Sequence, residues 1–216
     1  MRELELPRGR PLKVLCLGAH CDDIDIGCGA TLLKVLARPG SVHVTWVAFA
    51  SDPKRARELR ASAKRFLKGA ARSNVITHEF RDSYFPAQYE QIKEAFEPLK
   101  RLPSPDIVFT HKHDDLHQDH RLVSELTWNA FRNHLVLEYE VPKYDGDLST
   151  PNAYVCVDRA LVDRKIKILM ACYRTQTKKP WFTPETFEAI MRLRGVEAGA
   201  ITGWAEGFRA AKFCLG

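Results

Sequence analysis

The chain has 216 residues, 45% of them hydrophobic, and a formal net charge of +6. This length and composition are typical of one folded domain, and we expect residues 1–216 to form a single domain. No segment approaches the ~20 consecutive apolar residues of a membrane helix, and the amino terminus lacks the apolar core of a secretion signal. We therefore expect a cytoplasmic protein with no transmembrane segment.

Strand-like and helix-like segments alternate along the chain. Apolar runs of strand length recur near residues 13–18, 42–50, 74–80, 106–110, 135–141 and 153–158. Helical patterns lie near 27–38, 54–68, 88–101 and 119–132, and a further helix is predicted over 159–173. A last helix is predicted to begin at Thr183 and Pro184 and to end before Gly195.

This alternation predicts an α/β fold. Strands separated by helices of this length form crossover units, which give a mostly parallel sheet with helices on both faces. The last two strand-like runs follow each other more closely, which is compatible with an antiparallel edge strand.

The positive charge is concentrated between Lys54 and Arg72, where eight basic side chains accompany one acid, Glu58. Apolar residues recur there at helical spacing, namely Ala56, Leu59, Ala63, Phe66 and Ala70. The simplest interpretation is a solvated face of an amphipathic helix. An alternative is that these charges attract an anionic substrate. Aromatic residues are not interleaved with the basic ones, so we do not expect a nucleic-acid partner.

The six cysteines contain no C-x-x-C pair. In a chain of this length they are better interpreted as reduced thiols than as a disulfide framework. Cys21 and Cys28 flank a histidine- and acid-rich segment, and a soft zinc site built on them is a minor alternative, since cysteine sites usually show closely paired ligands.

Two segments rich in acids and histidine follow predicted strands. Gly18–Asp23 comes directly after a run that ends at Leu17, and His117–His120 comes shortly after a run that ends at Thr110. In open α/β sheets, ligands bind at the carboxyl ends of the strands. Four of the eight histidines, at positions 111, 113, 117 and 120, fall within ten residues of one strand end. Such clustering is not expected of solvated surface residues, and it indicates a metal site.

The residue types fit a catalytic divalent metal. Such a site commonly has three protein ligands and leaves a position open for water. We predict His20, Asp23 and His120 as the ligands. Asp22 and Asp23 are adjacent and point apart, so one can bind the metal while its neighbour, Asp22, acts as general base. His117 lies one helical turn before His120 and is predicted to face the substrate.

Neighbouring polar residues are assigned supporting positions. Asp119 is a candidate acceptor that orients a nearby histidine. His111 and His113 are predicted to form the wall of the pocket.

The motifs resemble those of one protein family. Gly18–Thr31 resembles the first motif of the LmbE-like, or PIG-L, family of zinc-dependent N-deacetylases, which reads A-H-P-D-D before a glycine-rich helix start, and His117–His120 resembles the family's H-P-D-H motif. Cys21 and Gln118 stand where proline is usual. Weaker similarities lie at Arg55 and Glu58, at Lys165, Tyr173 and Gln176, and at 205–209.

The resemblance implies a Rossmann-like α/β domain that hydrolyses the acetamide of an N-acetylglucosamine-type sugar or sugar conjugate. It implies Zn²⁺ as cofactor, although Fe²⁺ accepts the same ligands. Matched position by position, the resemblance implies that His20, Asp23 and His120 are the metal ligands. It also makes Asp22 the general base and His117 the group that stabilises the oxyanion, and it directs Arg55 towards the substrate. The expected partner is a small acetylated sugar conjugate, and an anionic one in the alternative interpretation above.

Two other functions are compatible with parts of the sequence. Asp25–Gly29 reads D-I-G-C-G, which is similar to the glycine-rich loop of class I methyltransferases that bind S-adenosylmethionine. The acidic residues before it make a poor buried strand, which argues against this alternative. The second alternative is a metal-binding module on the same fold that has no turnover.

Overall fold

The computed structural model describes residue 6, residues 9–38 and residues 40–212. The strands of this part of the chain are β1 (Leu12–Gly18), β2 (Val42–Ala48), β3 (Arg72–Thr77), β4 (Ile107–His111), β5 (Leu135–Tyr139), β6 (Ala153–Val157) and β7 (Trp204–Ala210). Its α-helices are α1 (Asp23–Leu36), α2 (Pro53–Phe66), α3 (Tyr89–Phe96), α4 (Gln118–Ala130), α5 (Arg159–Cys172) and α6 (Pro184–Glu197). None of these helices is long and apolar enough to cross a membrane.

The strands form one mixed sheet in the order β3-β2-β1-β4-β5-β7-β6. Each pair from β3 to β5 is parallel, whereas β7 runs antiparallel to both β5 and β6. The predicted α/β class and its mostly parallel sheet are confirmed. The edge strand β6 pairs antiparallel with its neighbour, as predicted, but that neighbour is β7 and not β5. The sequence did not predict β7, because its residues, WAEGFRA, lack an apolar run and include a glycine.

Helices cover both faces of the sheet, as predicted. Alternate residues of β1 point to opposite faces. Val14 and Cys16 belong to the apolar cluster that includes residues of α1, α2 and α5, whereas Leu15 and Leu17 belong to the cluster with residues of α3 and α4. β1 is therefore buried on both sides, which explains why it reads as a continuous apolar run.

Helix α1 begins earlier than predicted and is kinked. It begins at Asp23, with Asp22 as its N-cap, and Cys28 has non-helical backbone angles. Glycines lie inside this helix because other side chains pass close by. A Cβ on Gly27 would lie 2.2 Å from the Tyr139 ring, and one on Gly29 would lie 2.9 Å from the Phe66 ring. The glycines thus serve packing, and the loop that the methyltransferase alternative needs is absent from this segment.

The predicted end of the last helix was wrong, because Gly195 lies inside α6 and not after it. The residue is glycine because the backbone of 203–204 crosses there, and a Cβ would lie 2.2 Å from the Gly203 carbonyl oxygen. The predicted start was right, since Thr183 caps the helix by accepting from the Thr186 N–H, and Pro184 follows in the first turn.

Candidate metal centre and active site

The fold brings the two motifs together at one edge of the sheet. β1 and β4 are neighbouring parallel strands, so their carboxyl ends meet. Asp22 is the N-cap of α1, and His117 is the N-cap of α4. Although about a hundred residues separate the motifs in sequence, their side chains are in contact: His20 Nδ1 lies 3.2 Å from His120 Nε2.

One donor atom of each of the three predicted ligands lies within 3.6 Å of the donor atoms of the other two. Asp23 Oδ2 lies 3.3 Å from His20 Nδ1 and 3.6 Å from His120 Nε2, which together with the 3.2 Å imidazole pair closes a triangle. Tetrahedral nitrogen and oxygen ligands of zinc, bound at ~2.0–2.1 Å, lie ~3.3–3.4 Å from one another. The donor set and its spacing therefore fit a divalent metal ion.

Other donor sets overlap with this one. His20, His117 and His120 could hold an ion together, and so could Asp23, His111 and His120. His111 is fully buried, and its Nε2 accepts from the Ala19 N–H at 2.9 Å and lies 3.1 Å from Asp23 Oδ2. His111 was predicted to form the wall of the pocket, but it contacts one of the predicted metal ligands directly. His113 lies further out, with half its side chain exposed, against Glu138 and Arg209.

The acidic side chains around His20 favour positive charge there. Burial alone would lower the pKa of His20, but Asp23, Asp119 and Asp82 together hold it well above its usual value. By contrast, burial and the neighbouring His111 lower the pKa of His120 to about 3. His120 is thus the neutral imidazole that a metal ligand must be, and the carboxylates around His20 suit a cation.

Asp22 lies next to the predicted ligands and is held by an arginine. Its Oδ1 accepts from Arg55 Nη2 at 2.6 Å. Burial raises the pKa of Asp22, and the Arg55 guanidinium only partly offsets this effect. Arg55 Nη1 also lies 3.6 Å from Asp82, a half-exposed carboxylate whose other oxygen is 3.1 Å from His20 Nε2. Asp82 was not predicted, because it belongs to no motif and no sequence pattern distinguishes it from other loop carboxylates.

His117 lines an open cleft beside the three donors. The cleft has a volume of about 240 Å³ and is lined by Ser83, Leu116, His117, Gln118, Arg121 and Asp145. The Asp119 N–H donates to His117 Nδ1 at 3.3 Å. A ring that accepts at Nδ1 carries its proton on Nε2. Burial, followed by the nearby His20, lowers the pKa of His117, which also favours the neutral ring.

The supporting carboxylates are only in part those predicted. Asp119 is fully buried, and its Oδ2 lies 3.4 Å from His20 Nε2. It also accepts from the backbone N–H groups of Ser83, at 2.6 Å, and Phe85, at 3.1 Å. The carboxylate that contacts His120 is instead Asp115, whose Oδ2 lies 3.1 Å from Nδ1. Asp115 was not predicted, because it lies outside both motifs.

The described cysteines take no part in the donor set. Cys21 donates to the carbonyl of Ala50, and Cys28 to that of Ile24. Burial raises the pKa of Cys21 to about 12, which disfavours the thiolate that a metal would need. The five described cysteines, Cys16, Cys21, Cys28, Cys156 and Cys172, are free thiols. Cys214 lies outside the described residues.

The chain is similar to known proteins over most of its length. Residues 15–131 match the PIG-L family, described as GlcNAc-PI de-N-acetylase. An Escherichia coli K12 protein named uncharacterized deacetylase YaiS is 30% identical over 139 residues, which are 60% of this chain and 74% of that protein.

Solved structures share the fold at lower identity. N,N'-diacetylchitobiose deacetylase from Pyrococcus horikoshii has a TM-score of 0.67 and 21% identity, over 91% of this chain and 82% of that one. GalB, the 4-carboxy-2-hydroxymuconate hydratase of Pseudomonas putida KT2440, has a TM-score of 0.69 and 16% identity, over 95% and 98% of the two chains. Since deacetylase and hydratase chains share it, this fold alone does not fix the reaction.

The family match spans more than half of the chain and includes both motifs that surround the candidate metal centre. The chain therefore belongs to the PIG-L family, the family of the GlcNAc-PI de-N-acetylases.

Proposed function

We propose that this protein is a metal-dependent amide hydrolase that removes the acetyl group from an N-acetylated sugar or sugar conjugate of the N-acetylglucosamine type. One observation carries the proposal: His20, Asp23 and His120 place three donor atoms 3.2–3.6 Å from one another, next to the buried carboxylate of Asp22. Family membership and the deacetylase relatives support the substrate class.

We propose Zn²⁺ as the metal, with Fe²⁺ as the alternative that the same nitrogen and oxygen donors accept. A divalent ion held by His20, Asp23 and His120 would polarise the acetamide carbonyl and increase the acidity of water. We do not propose a zinc site on Cys21 and Cys28, because both thiols donate to backbone carbonyls.

We assign Asp22 as the general base. Its carboxylate would take the proton of the attacking water and later deliver it to the amine that leaves. Burial raises its pKa, which makes it a better proton acceptor than an exposed carboxylate, while the ion pair with Arg55 keeps it ionised for the first step. Arg55 bridges Asp22 and Asp82 at the edge of the site, which supports its proposed contact with the substrate.

We assign His117 to the oxyanion of the tetrahedral intermediate. A protonated His117 would be an imidazolium, in which both ring nitrogens are donors. The Asp119 N–H that faces Nδ1 at 3.3 Å favours instead a neutral ring with its proton on Nε2. Nε2–H is the donor that would stabilise the oxyanion in either form.

We also propose that the substrate is anionic, because basic side chains of α2 are exposed and would attract it. We further propose that the protein resides in the cytoplasm, which the free thiols of the described cysteines support.

The decisive experiment measures acetate released by zinc-loaded protein from a panel of N-acetylated sugar conjugates that includes nucleotide-linked members. We expect release of acetate and free amine in equal amounts, loss of activity after chelation, and recovery when zinc is restored. If protein with a full complement of metal releases acetate from no member of the panel, the alternative of a metal-binding module without turnover is favoured.

A further inference from the structure

A buried carboxylate lies on the side of the His120 ring opposite to the proposed metal. His120 Nε2 faces His20 and Asp23, whereas Nδ1 lies 3.1 Å from Asp115 Oδ2. Asp115 is fully buried, and its other oxygen accepts from the His117 backbone N–H at 2.8 Å. One carboxylate thus contacts both histidines of the second motif.

The loop between β5 and β6 holds this carboxylate in place. Lys143 Nζ lies 3.0 Å from Asp115 Oδ1 and 2.7 and 2.8 Å from the two oxygens of Asp147. Asp147 in turn accepts from the Leu116 N–H at 2.8 Å. The side chains of Lys143 and Asp147 are 7% and 8% exposed, so little solvent screens these contacts. The loop is therefore fastened both to the Asp115 carboxylate and to the backbone of the next residue, Leu116.

We propose that Asp115 is a positioning residue for His120 and that Lys143 and Asp147 form the clamp that positions Asp115. The carboxylate accepts the Nδ1 proton, which fixes the tautomer, aims the Nε2 lone pair at the metal and increases the basicity of the ligand. This inference rests on the proposed metal centre. Lys143 and Asp147 lie outside residues 15–131, so the centre would depend on a loop beyond the part of the chain that matches the family.

The clamp requires the ionic contact of Lys143 with Asp115, and not merely a lysine near the loop. Lys112 provides the comparison, because it is also buried and its Nζ lies 3.3 Å from Asp147 Oδ2. The other described contacts of this ammonium are with the carbonyl and the carboxylate of Asp114. Removing the charge of Lys112 should therefore disturb the same loop without removing a direct contact of Asp115.

The test measures zinc affinity by competition with a chromophoric chelator, together with the visible spectrum of the Co²⁺-loaded protein, for the wild type and four variants. We expect Asp115→Ala to weaken zinc binding about 10–100-fold and Asp115→Asn about 10-fold, with an altered Co²⁺ spectrum. Lys143→Met should produce a smaller loss with a spectral change of the same kind. The matched control, Lys112→Met, should keep the wild-type affinity within about twofold and the wild-type spectrum.

The possible failures can be told apart. Circular dichroism establishes that each variant is folded, and if Asp115→Ala is not, Asp115→Asn and Lys143→Met decide the outcome. Wild-type affinity and an unchanged Co²⁺ spectrum in folded Asp115→Asn and Lys143→Met overturn this inference and leave the metal centre standing. An equal loss of affinity in Lys112→Met also overturns it, because a general effect of the loop would then suffice. Wild-type protein that binds neither ion overturns the proposed metal centre and this inference with it.

Discussion

At the scale of single residues, Asp22 and Asp23 show how two adjacent carboxylates acquire different chemistry. Asp23 faces three imidazoles, and although burial opposes ionisation, His120 and His20 hold its pKa well below its usual value. Asp22 faces one guanidinium, and burial raises its pKa. The more basic carboxylate is the one that lies beside the donor set and not in it, which is the arrangement a general base requires.

The first prediction tests that assignment. Asp22→Asn removes the proton acceptor but none of the three donors, so turnover should fall by about 100-fold or more while zinc content stays near that of the wild type. Acetate release and metal analysis of the same preparation measure the two quantities. The matched control is Asp114→Asn, a carboxylate with 63% of its side chain exposed, which should keep wild-type turnover. Full activity of Asp22→Asn in zinc-loaded protein would remove Asp22 from the mechanism.

The second prediction concerns Arg55, which contacts the proposed base and is proposed to contact substrate. If its main role is substrate binding, Arg55→Met should raise KM by about tenfold or more with a smaller change in kcat, because a hydrogen bond to a charged group is lost. Arg57→Met removes the same charge from an exposed position of α2 and should leave both constants near wild type. A fall in kcat at unchanged KM would instead mean that Arg55 acts by orienting Asp22.

At the scale of elements, strand β7 supports helix α1 through one carboxylate. Glu206 accepts from the N–H groups of Ala30, at 3.0 Å, and Thr31, at 2.7 Å, just after the kink at Cys28. It thereby caps the second half of the helix, whose N–H groups would otherwise lack acceptors. Buried Lys165 of α5 donates to the same carboxylate at 2.6 Å. One side chain of β7 therefore ties α1 to α5.

The third prediction follows from this contact. Glu206→Ala leaves the buried ammonium of Lys165 without its carboxylate and with only the Ile26 carbonyl as a described acceptor. The free energy of unfolding should therefore fall by about 3–5 kcal/mol, as measured by urea denaturation. The double variant Lys165→Met with Glu206→Gln removes both charges and keeps an oxygen for the helix N–H groups. It should be more stable than Glu206→Ala alone. A loss below about 1 kcal/mol in Glu206→Ala would show that the pair contributes little to stability.

The elements also show what the sequence could and could not predict. β1 and β4 are buried on both faces, so each appears in the sequence as a continuous apolar run that predicts a strand. The motifs that follow these runs correctly predicted that the candidate site lies at the carboxyl ends of the two strands. β7 has Glu206 and Gly207 in its middle, so it lacks the apolar pattern of a strand. Glu206 caps helix α1, which is distant in sequence, and no local pattern predicts such a contact. Asp115 was missed for a related reason, since only the fold shows which acid before His117 meets His120.

At the scale of the whole molecule, the expectation of a single domain stays a prediction. The two large apolar clusters lie on opposite faces of one sheet and share β1, so unfolding should be one cooperative transition. Trp46 lies in the core on β2 and Trp204 begins β7, so tryptophan fluorescence reports on distant parts of the sheet. Urea curves followed by fluorescence and by far-ultraviolet circular dichroism should coincide. Two separated midpoints would contradict a single domain.

The place of β7 has a consequence for the newly made polypeptide as it leaves the ribosome. Strands β1 to β5 can pair with one another in turn as they emerge, but β6 adjoins β7 alone in the described sheet, and β7 is encoded some fifty residues later. Until β7 emerges, β6 has no strand partner, so its backbone N–H and C=O groups can pair with other chains. Over the same interval, the second half of α1 lacks its cap, Glu206. Between the synthesis of β6 and that of β7, the unpaired strand is therefore accessible to chaperones and prone to misassembly.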